Sequence, residues 1–576
     1  MKIVTVRRIS QAFFLLLLLW LAVVATVGTE WWQMRGWPID WLLQLDPLVA
    51  LGTLLATHTL YSGLIWAVAT LILTILLGRF FCGWVCPFGT MHQIVGFLGN
   101  RGKTVPQRIA MNDYHRSATI KYYILTAMLV AAVTSPGSLL TGFLDPIPLA
   151  YRSVTLVLLP IADAKTQMLS ATQRYYEWGW LSGTVFLTAL ALNLLIPRFY
   201  CRIICPLGAL MGIFGRWAIW RIGKSQDTCS NCKLCQEHCE GGCEPVGRIR
   251  ISECVLCMNC LDECHHNLVQ YRTEKSAAGE TTSPDITRRG LMLSLVSGLA
   301  AVPLMRLGGK SGANWNSSII RPPGSLAEEE FLERCIRCGQ CMRVCPTNVI
   351  QPGGLEGGLE TLWTPMLNNR IGSSGCQLNC VACGKVCPTA AIRPISLDEK
   401  LGRGKFADAG PIRLGAAFVD RGRCLPWAMD KPCIVCQENC PVSPKAIDVR
   451  EVFNTIRNGA LTIEQIHGDT LEFASAAPNA GNFAGGDFFC LLPGGERVAI
   501  AANTTNSITL TARKKSSPPT VGQTVEIQVR LQQPYVDVQA CIGCGVCEHE
   551  CPVSGTRAIR ISAENESRSP NRRLLL

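Results

Sequence analysis

The chain divides into an apolar first third and a longer, mostly polar remainder. An apolar run from Gln11 to Gly28 follows Lys2, Arg7 and Arg8 and is long enough to cross about 30 Å of hydrocarbon. Further runs cover Leu60 to Gly78, Tyr122 to Leu140 and Gly179 to Pro197. The loop after the first run carries Glu30, Asp40 and Asp46; that after the second carries Arg101, Lys103, Arg108 and Arg116. Arg202, Arg216, Arg221 and Lys224 come after the fourth. This asymmetry places the N-terminus and the ends of the second and fourth spans in the cytoplasm. A cleaved signal peptide is not expected at residues 1–28, because more spans follow and no small-residue cleavage site is evident.

Asp46-Pro47-Leu48 and Asp145-Pro146-Ile147-Pro148 open two further apolar stretches, each ahead of a span. Asp and Pro make them poor spans, so they are expected as interfacial or re-entrant pieces on the outer side. The membrane part then reads as two helix pairs related by an axis along the membrane normal. Beyond it the pattern changes. A polar linker, 273–285, leads to Thr287-Arg288-Arg289-Gly290 and a fifteen-residue apolar run, Leu291 to Met305, that contains Pro303. This is either an internal twin-arginine signal or a basic flank before a short fifth span, and both readings carry residues 310–576 outward. Residues 455–532 alternate apolar and polar positions (Val498-Ile500, Ile508-Leu510-Ala512, Val525-Ile527-Val529-Leu531) around turn residues, which predicts an antiparallel β unit.

The net charge of +12 does not indicate nucleic acid: many basic residues flank the spans, and no basic patch is interleaved with aromatics. Thirty cysteines exceed what a cytosolic enzyme needs. Disulfide frameworks have irregular gaps, whereas here C-x-x-C-x-x-C-x-x-x-C recurs, the spacing of iron–sulfur ligation. Cys229, Cys232, Cys235 and Cys239 form one set and Cys254, Cys257, Cys260 and Cys264 a second. Zinc knuckles are the competing reading of these two. Neither set ends in the usual proline, and Cys243, ahead of Glu244-Pro245, competes with Cys239 as fourth ligand; spacing favours Cys239. Four more sets each end in proline: Cys335, Cys338, Cys341, Cys345; Cys376, Cys380, Cys383, Cys387; Cys424, Cys433, Cys436, Cys440; and Cys541, Cys544, Cys547, Cys551. These sets imply six [4Fe-4S] clusters. Cys490 stands alone and is expected to be a buried thiol.

The remaining four cysteines belong to a repeat. Arg79 to Gly89 reads RFFCGWVCPFG and Arg198 to Gly208 reads RFYCRIICPLG, each directly after an apolar run. Cys82, Cys86, Cys201 and Cys205 thus lie at the same end of two spans, with i, i+4 spacing that puts each pair on one helical face. They make a shared metal or iron–sulfur site, two redox-active thiol pairs, or structural thiols.

The expected architecture is an α-helical membrane bundle plus α+β ferredoxin-like domains. Its parts are a four-span domain (1–222), a cytoplasmic two-cluster module (223–272), a linker with the fifth apolar segment (273–324), a four-cluster domain (325–454 and 533–565) and the β-rich insertion (455–532). Residues 1–270 resemble the NapH/NosR-type membrane ferredoxins through the paired C-x-x-x-C-P motifs and the following two-cluster module. Residues 287–562 resemble the NapG/MauM-type exported ferredoxins through the twin-arginine start, the four cluster motifs and the run Arg423 to Cys436, RCLPWAMDKPCIVC. The resemblance implies an inner-membrane protein that oxidises quinol and delivers electrons to a periplasmic enzyme or cytochrome. It equally implies a redox maturation or reactivation factor for a periplasmic metalloenzyme. An assembly scaffold with structural clusters is the non-redox alternative. No c-type haem motif is present, and His58 and His92 fall at opposite membrane sides, so a haem is not expected. Clusters on both sides of the bilayer call for a mediator, either a quinone or the four repeated thiols. Glu30, Asp46 and Asp145 are outer-side carboxylates able to take quinol protons, though each alone reads as a helix-start residue.

Overall fold

The structure is a computed structural model that describes residues 2–26, 39–134, 139–166, 173–226, 229–306, 318–474, 481–511 and 518–568; Glu30 lies outside them. The chain forms two units. The first is Met1–Ser373, Asn379–Ile412 and Ser567–Asn571, and the second is Ser374–Leu378, Arg413–Glu566 and Arg572–Leu576. The four-cluster domain expected from the sequence is therefore divided. Its first motif and most of its second belong with the membrane helices.

Among the helices of the first unit are α1 (Ile3–Val24), α2 (Pro47–Thr57), α3 (Trp66–Leu77), α4 (Pro87–Gly99), α5 (Ile120–Thr134), α6 (Pro146–Ser153), α7 (Gly179–Ala191), α8 (Pro206–Gly215), α9 (Arg288–Arg306) and α10 (Glu328–Arg334). Among the described residues four helical runs are long and apolar enough to cross a membrane: Ile3–Val24, Val105–Thr134, Pro146–Thr166 and Arg288–Met305. Two expectations change. The second and fourth spans are the shorter helices Ser62–Leu77 and Gly179–Leu194. The stretch from Pro146, expected to be re-entrant, is a 21-residue helical run, mostly buried inside the protein. Proline at its first turn starts a helix there instead of breaking one, because the missing N–H has no intrahelical partner at that position. Asp46 and Asp145 cap α2 and α6 in the same way, accepting from Leu48 N at 2.9 Å and Ile147 N at 3.2 Å.

α9 follows α5 in parallel. The ring of Tyr123 closes on Gly290, and Val130 and the Ala127 carbonyl close on Gly298, where an added Cβ would approach them to within 3 Å. Arg288 and Arg289 are exposed at its start.

α1 has a different module at each end. At its N-terminal end Arg7 donates to the Cys257 carbonyl and pairs with Glu240 at 2.7 Å, and Gln11 donates to the Gly83 carbonyl at 2.8 Å. At its C-terminal end Arg343 donates to the Ala22 carbonyl at 3.2 Å, and Leu21 and Ala25 pack with Val344, Cys380 and Val386. A helix of 22 residues is about 33 Å long. The ferredoxin module of residues 223–272 and the module around Cys335 thus pack at opposite ends of α1. A buried core runs from the repeated motifs to the module around Cys335, from Cys86 and Cys205 through Phe88, Tyr200 and Tyr151 to Ile336 and Cys338.

In the second unit, residues 447–536 form a closed six-stranded antiparallel barrel, slightly larger than the expected insertion. Its strands are β1 (Ile447–His467), β2 (Thr470–Phe473), β3 (Phe488–Leu491), β4 (Arg497–Asn503), β5 (Ser507–Leu510) and β6 (Thr524–Val536), in the order β3-β4-β5-β2-β1-β6. Pairing of Ile447 with Val536 brings the barrel's entry and exit together, so the insertion interrupts the cluster fold at one point. The alternating residues Leu461, Ile463, Val525 and Ile527 fill the interior with Cys490, which is fully buried.

Candidate functional site

Each RF-x-C-x-x-x-C-P-x-G repeat folds the same way. The regular helix before it gives way to a π-turn, Phe81–Val85 and Tyr200–Ile204, closed by Cys86 N to the Phe81 carbonyl (2.9 Å) and Cys205 N to the Tyr200 carbonyl (2.8 Å). Cys86 and Cys205 are extended N-cap residues, and the following proline starts α4 or α8. The two thiols of a pair therefore do not share a face of one regular helix, as i, i+4 spacing suggested. One sits on a π-turn and the other at a helix N-terminus; Cys205 Sγ accepts from Gly208 N at 3.1 Å. The motif glycine is needed for close approach: a Cβ on Gly89 would lie 2.9 Å from the Cys82 carbonyl, and one on Gly208 3.1 Å from the Arg79 guanidinium.

The two repeats face each other. The thiols of Cys82, Cys86, Cys201 and Cys205 are within electrostatic reach of one another. Arg198 donates to the Cys82 carbonyl at 3.2 Å. Among the described residues no group of three or more His, Cys, Asp or Glu side chains is close enough to hold a single metal ion. A one-ion zinc site is thus not formed by these thiols as they stand.

Sequence reasoning passed over the first residue of each motif. Arg79 and Arg198 are buried and reach into the ferredoxin module, to Glu253 (3.9 Å) and Glu240 (2.7 Å) respectively. Glu253 lies just before Cys254 and also binds Lys121 and the Tyr122 hydroxyl (2.9 Å). Glu240 lies just after Cys239 and also binds Arg7. Burial alone would raise the pKa of Glu253, but Lys121 and Arg79 hold it below the usual carboxylate range. Arg198 and Arg7 do the same for Glu240. Each carboxylate thus meets two cations, and the repetition of Arg in both motifs was the signal that could have found them. Backbone contact completes the docking: Trp84 Nε1 donates to the Leu256 carbonyl at 3.1 Å, and a Cβ on Gly83 would stand 2.1 Å from the Val255 carbonyl.

The cluster motifs pair crosswise where cavities can be read. Cys335, Cys338 and Cys341 line a cavity of about 350 Å³ with Cys387. Cys424, Cys433 and Cys436 line one of about 360 Å³ with Cys551, and Cys541, Cys544 and Cys547 one of about 300 Å³ with Cys440. Four sulfurs standing around a void, too far apart for a single ion, fit a cubane cluster and not zinc. In the ferredoxin module Cys235 is within reach of Cys229 and Cys264. Cys239 is within reach of Cys254, Cys257 and Cys260, while Cys243 is 3.4 Å from Cys239 and hydrogen-bonded with Cys254. Both contenders for the fourth ligand thus stand beside the second set. Cys232 is exposed, and Cys345, Cys380 and Cys383 are buried in the first unit. Cys376 belongs to the second, donating its backbone N–H to the Cys544 carbonyl at 2.7 Å.

Comparison with known proteins agrees with this chemistry. A family model described as a 4Fe-4S binding domain matches residues 59–106 and again 178–225, the two segments that carry the repeated motif. A second 4Fe-4S binding domain matches 331–351. The chain is similar to YccM of Escherichia coli (strain K12), at 29% identity over 236 residues, 40% of this chain and 60% of that protein. It is similar to the regulatory protein NosR of Stutzerimonas stutzeri, at 28% over 189 residues, 32% of this chain and 23% of that protein. It is also similar to the ferredoxin-type protein NapH of Escherichia coli (strain K12), at 26% over 255 residues, 41% of this chain and 77% of that protein. The match thus spans less than two thirds of YccM and NosR. No solved structure matches the chain. The chain thus carries 4Fe-4S binding segments together with helices long and apolar enough to cross a membrane.

Proposed function

We propose that this chain is an inner-membrane relay that takes electrons from the quinol pool and delivers them, through the modules around Cys335 and in the second unit, to a periplasmic redox enzyme or cytochrome. A [4Fe-4S] cluster supplies one-electron transfer with little rearrangement, because the charge spreads over several irons and sulfurs. The protein's contribution is to position its thiols. In this reading residues 223–286 are cytoplasmic, residues 310–576 are periplasmic, α9 is the uncleaved crossing between them, and the second half is a NapG-type partner fused to a NapH-type membrane part. The observation that carries the reading is α1, whose two ends hold different cysteine modules. The four repeated thiols would hold one further centre between them.

A second reading has specific support. The ferredoxin module is fixed to both thiol motifs by buried ion pairs, and its exposed Cys232 offers an edge to a soluble donor. The continuous core from Cys205 to Cys338 then favours a protein that carries cytoplasmic reducing power outward to mature or reactivate a periplasmic metalloenzyme. Purified protein in liposomes separates the two. Quinol in the bilayer should reduce the clusters on the first reading. Reduction by a low-potential ferredoxin-type donor on the module's side, and none by quinol, would transfer the conclusion to the second.

A further inference from the structure

Asp46 and Asp145 occupy equivalent places in the two halves of the membrane domain, each capping a helix that precedes a repeat motif. Both side chains are fully buried. Each uses Oδ1 to accept backbone N–H groups of its own helix. Each leaves Oδ2 with no hydrogen-bond partner. The two carboxyl groups are within hydrogen-bonding reach of each other. Two ionised carboxylates in contact, away from water, repel strongly and leave both outer oxygens without a donor. One proton between them removes both costs, since the protonated oxygen donates to the ionised one.

Among the described residues no cation forms an ion pair with either carboxyl group; the cations nearby that have assigned partners pair elsewhere. α2 packs against α5, which carries Lys121, and against α10, which carries Glu333 and Arg334; α6 itself carries Tyr151 and Arg152 and packs against α4, whose buried His92 stacks on Tyr200 at 6.2 Å. Lys121 is engaged by Glu253, and Arg152 by the carbonyls of Gly142 and Arg337. One ionisable neighbour within electrostatic reach of Asp145 is the Tyr200 hydroxyl, which donates to the Leu144 carbonyl beside it. Tyr200 is also within reach of Cys201 and Cys205. A charge placed at the repeated thiols is therefore felt across one buried tyrosine at the carboxyl pair.

We infer that Asp46 and Asp145 form a single proton-binding site, a carboxyl pair that holds one proton at neutral pH and takes up a second when an electron is placed at the repeated thiols. In that step a one-electron reductant such as dithionite is oxidised, the group held by the thiols is reduced, and one solvent proton neutralises the remaining carboxylate. The shared proton stands on the geometry alone; its coupling to the electron rests on the reading of the thiols as a redox centre.

Infrared spectroscopy of the full chain in bilayers, with isotope-labelled aspartate, tests both parts. The oxidised protein should show the carbonyl stretch of one protonated aspartic acid, sensitive to deuterium exchange. Asp46→Asn and Asp145→Asn should each abolish it, because the amide N–H replaces the shared proton and leaves the partner ionised. Asparagine also caps helices, so both variants should fold. Absence of the band in the wild type, or its survival in both single variants, would overturn the pair. Reduction with dithionite should strengthen the band in the wild type and leave it unchanged in Cys82→Ser. A wild-type band indifferent to reduction would overturn the coupling while leaving the pair intact.

Discussion

Glu253→Gln removes one carboxylate that three partners share. Glu253 and Lys121 have side chains only 4% and 1% exposed, with Arg79 as a second cation at 3.9 Å and the Tyr122 hydroxyl donating at 2.9 Å. Glutamine keeps the shape and removes the charge, so Lys121 and Arg79 become neighbouring buried cations without an anion. Breaking a buried pair from one side costs about 3–5 kcal/mol, most of it the uncompensated charge. Here two cations lose their partner, which favours the upper end. Since each 1.4 kcal/mol is a factor of ten, amide exchange through local opening of residues 251–258 should accelerate by a factor of several hundred or more. Asp285→Asn is the control. It removes the exposed partner of Arg250, with side chains 19% and 41% exposed, and should change exchange by about tenfold at most. Adding Lys121→Met to Glu253→Gln should recover much of the loss, because the methionine needs no anion. The measurement is hydrogen–deuterium exchange on the cluster-loaded protein in detergent. If Glu253→Gln exchanges no faster than Asp285→Asn, the ion pairs do not hold the module and the electrostatic account of docking is wrong.

Three further outcomes rest on named contacts. Gly83→Val should release the ferredoxin module while leaving its own clusters assembled, because a Cβ 2.1 Å from the Val255 carbonyl forces backbone apart. Overpacking of this kind costs about 1–3 kcal/mol, and limited proteolysis between 225 and 285 reads the release. Cys387→Ser should perturb the cluster signal of the Cys335 set, and Cys551→Ser that of the Cys424 set, although neither residue belongs to that motif. EPR showing loss only at the mutated residue's own motif would refute crosswise ligation. Glu328 has a side chain 9% exposed; burial alone would raise its pKa, but Arg321 and Arg568 hold it at about 2 against an ordinary 4.5. A depressed carboxyl stabilises the fold above its unfolded pKa, and that contribution fades as pH falls from about 4.5 to 2. The span of 2.5 units corresponds to about 3 kcal/mol. Acid melting curves of the wild type should drop more steeply across that window than those of Glu328→Gln; parallel curves would refute the assignment.

Much of the chemistry was legible locally. Three thiols at x-x spacing can wrap one cluster from one short stretch of chain, so the motif alone predicts iron–sulfur binding. Alternation from Val498 to Leu531 was enough to predict an antiparallel β unit, because each strand's faces are set by neighbouring residues. The helical run from Pro146 was misread for the opposite reason. Asp and Pro were taken as breakers, but at the first turn they start a helix, and burial against protein removes the need for an uninterrupted apolar face.

The repeated motif shows the same boundary within eleven residues. By itself the sequence determined that the four thiols come in two equivalent pairs, each followed by a proline-started helix. Only the tertiary structure decided that each pair straddles a π-turn and a helix cap, that the motif arginines reach Glu240 and Glu253, and that Asp46 meets Asp145. Such contacts join residues far apart in the chain. Their energy comes from burying charges where only a specific partner can replace water, and no local pattern records which partner that will be.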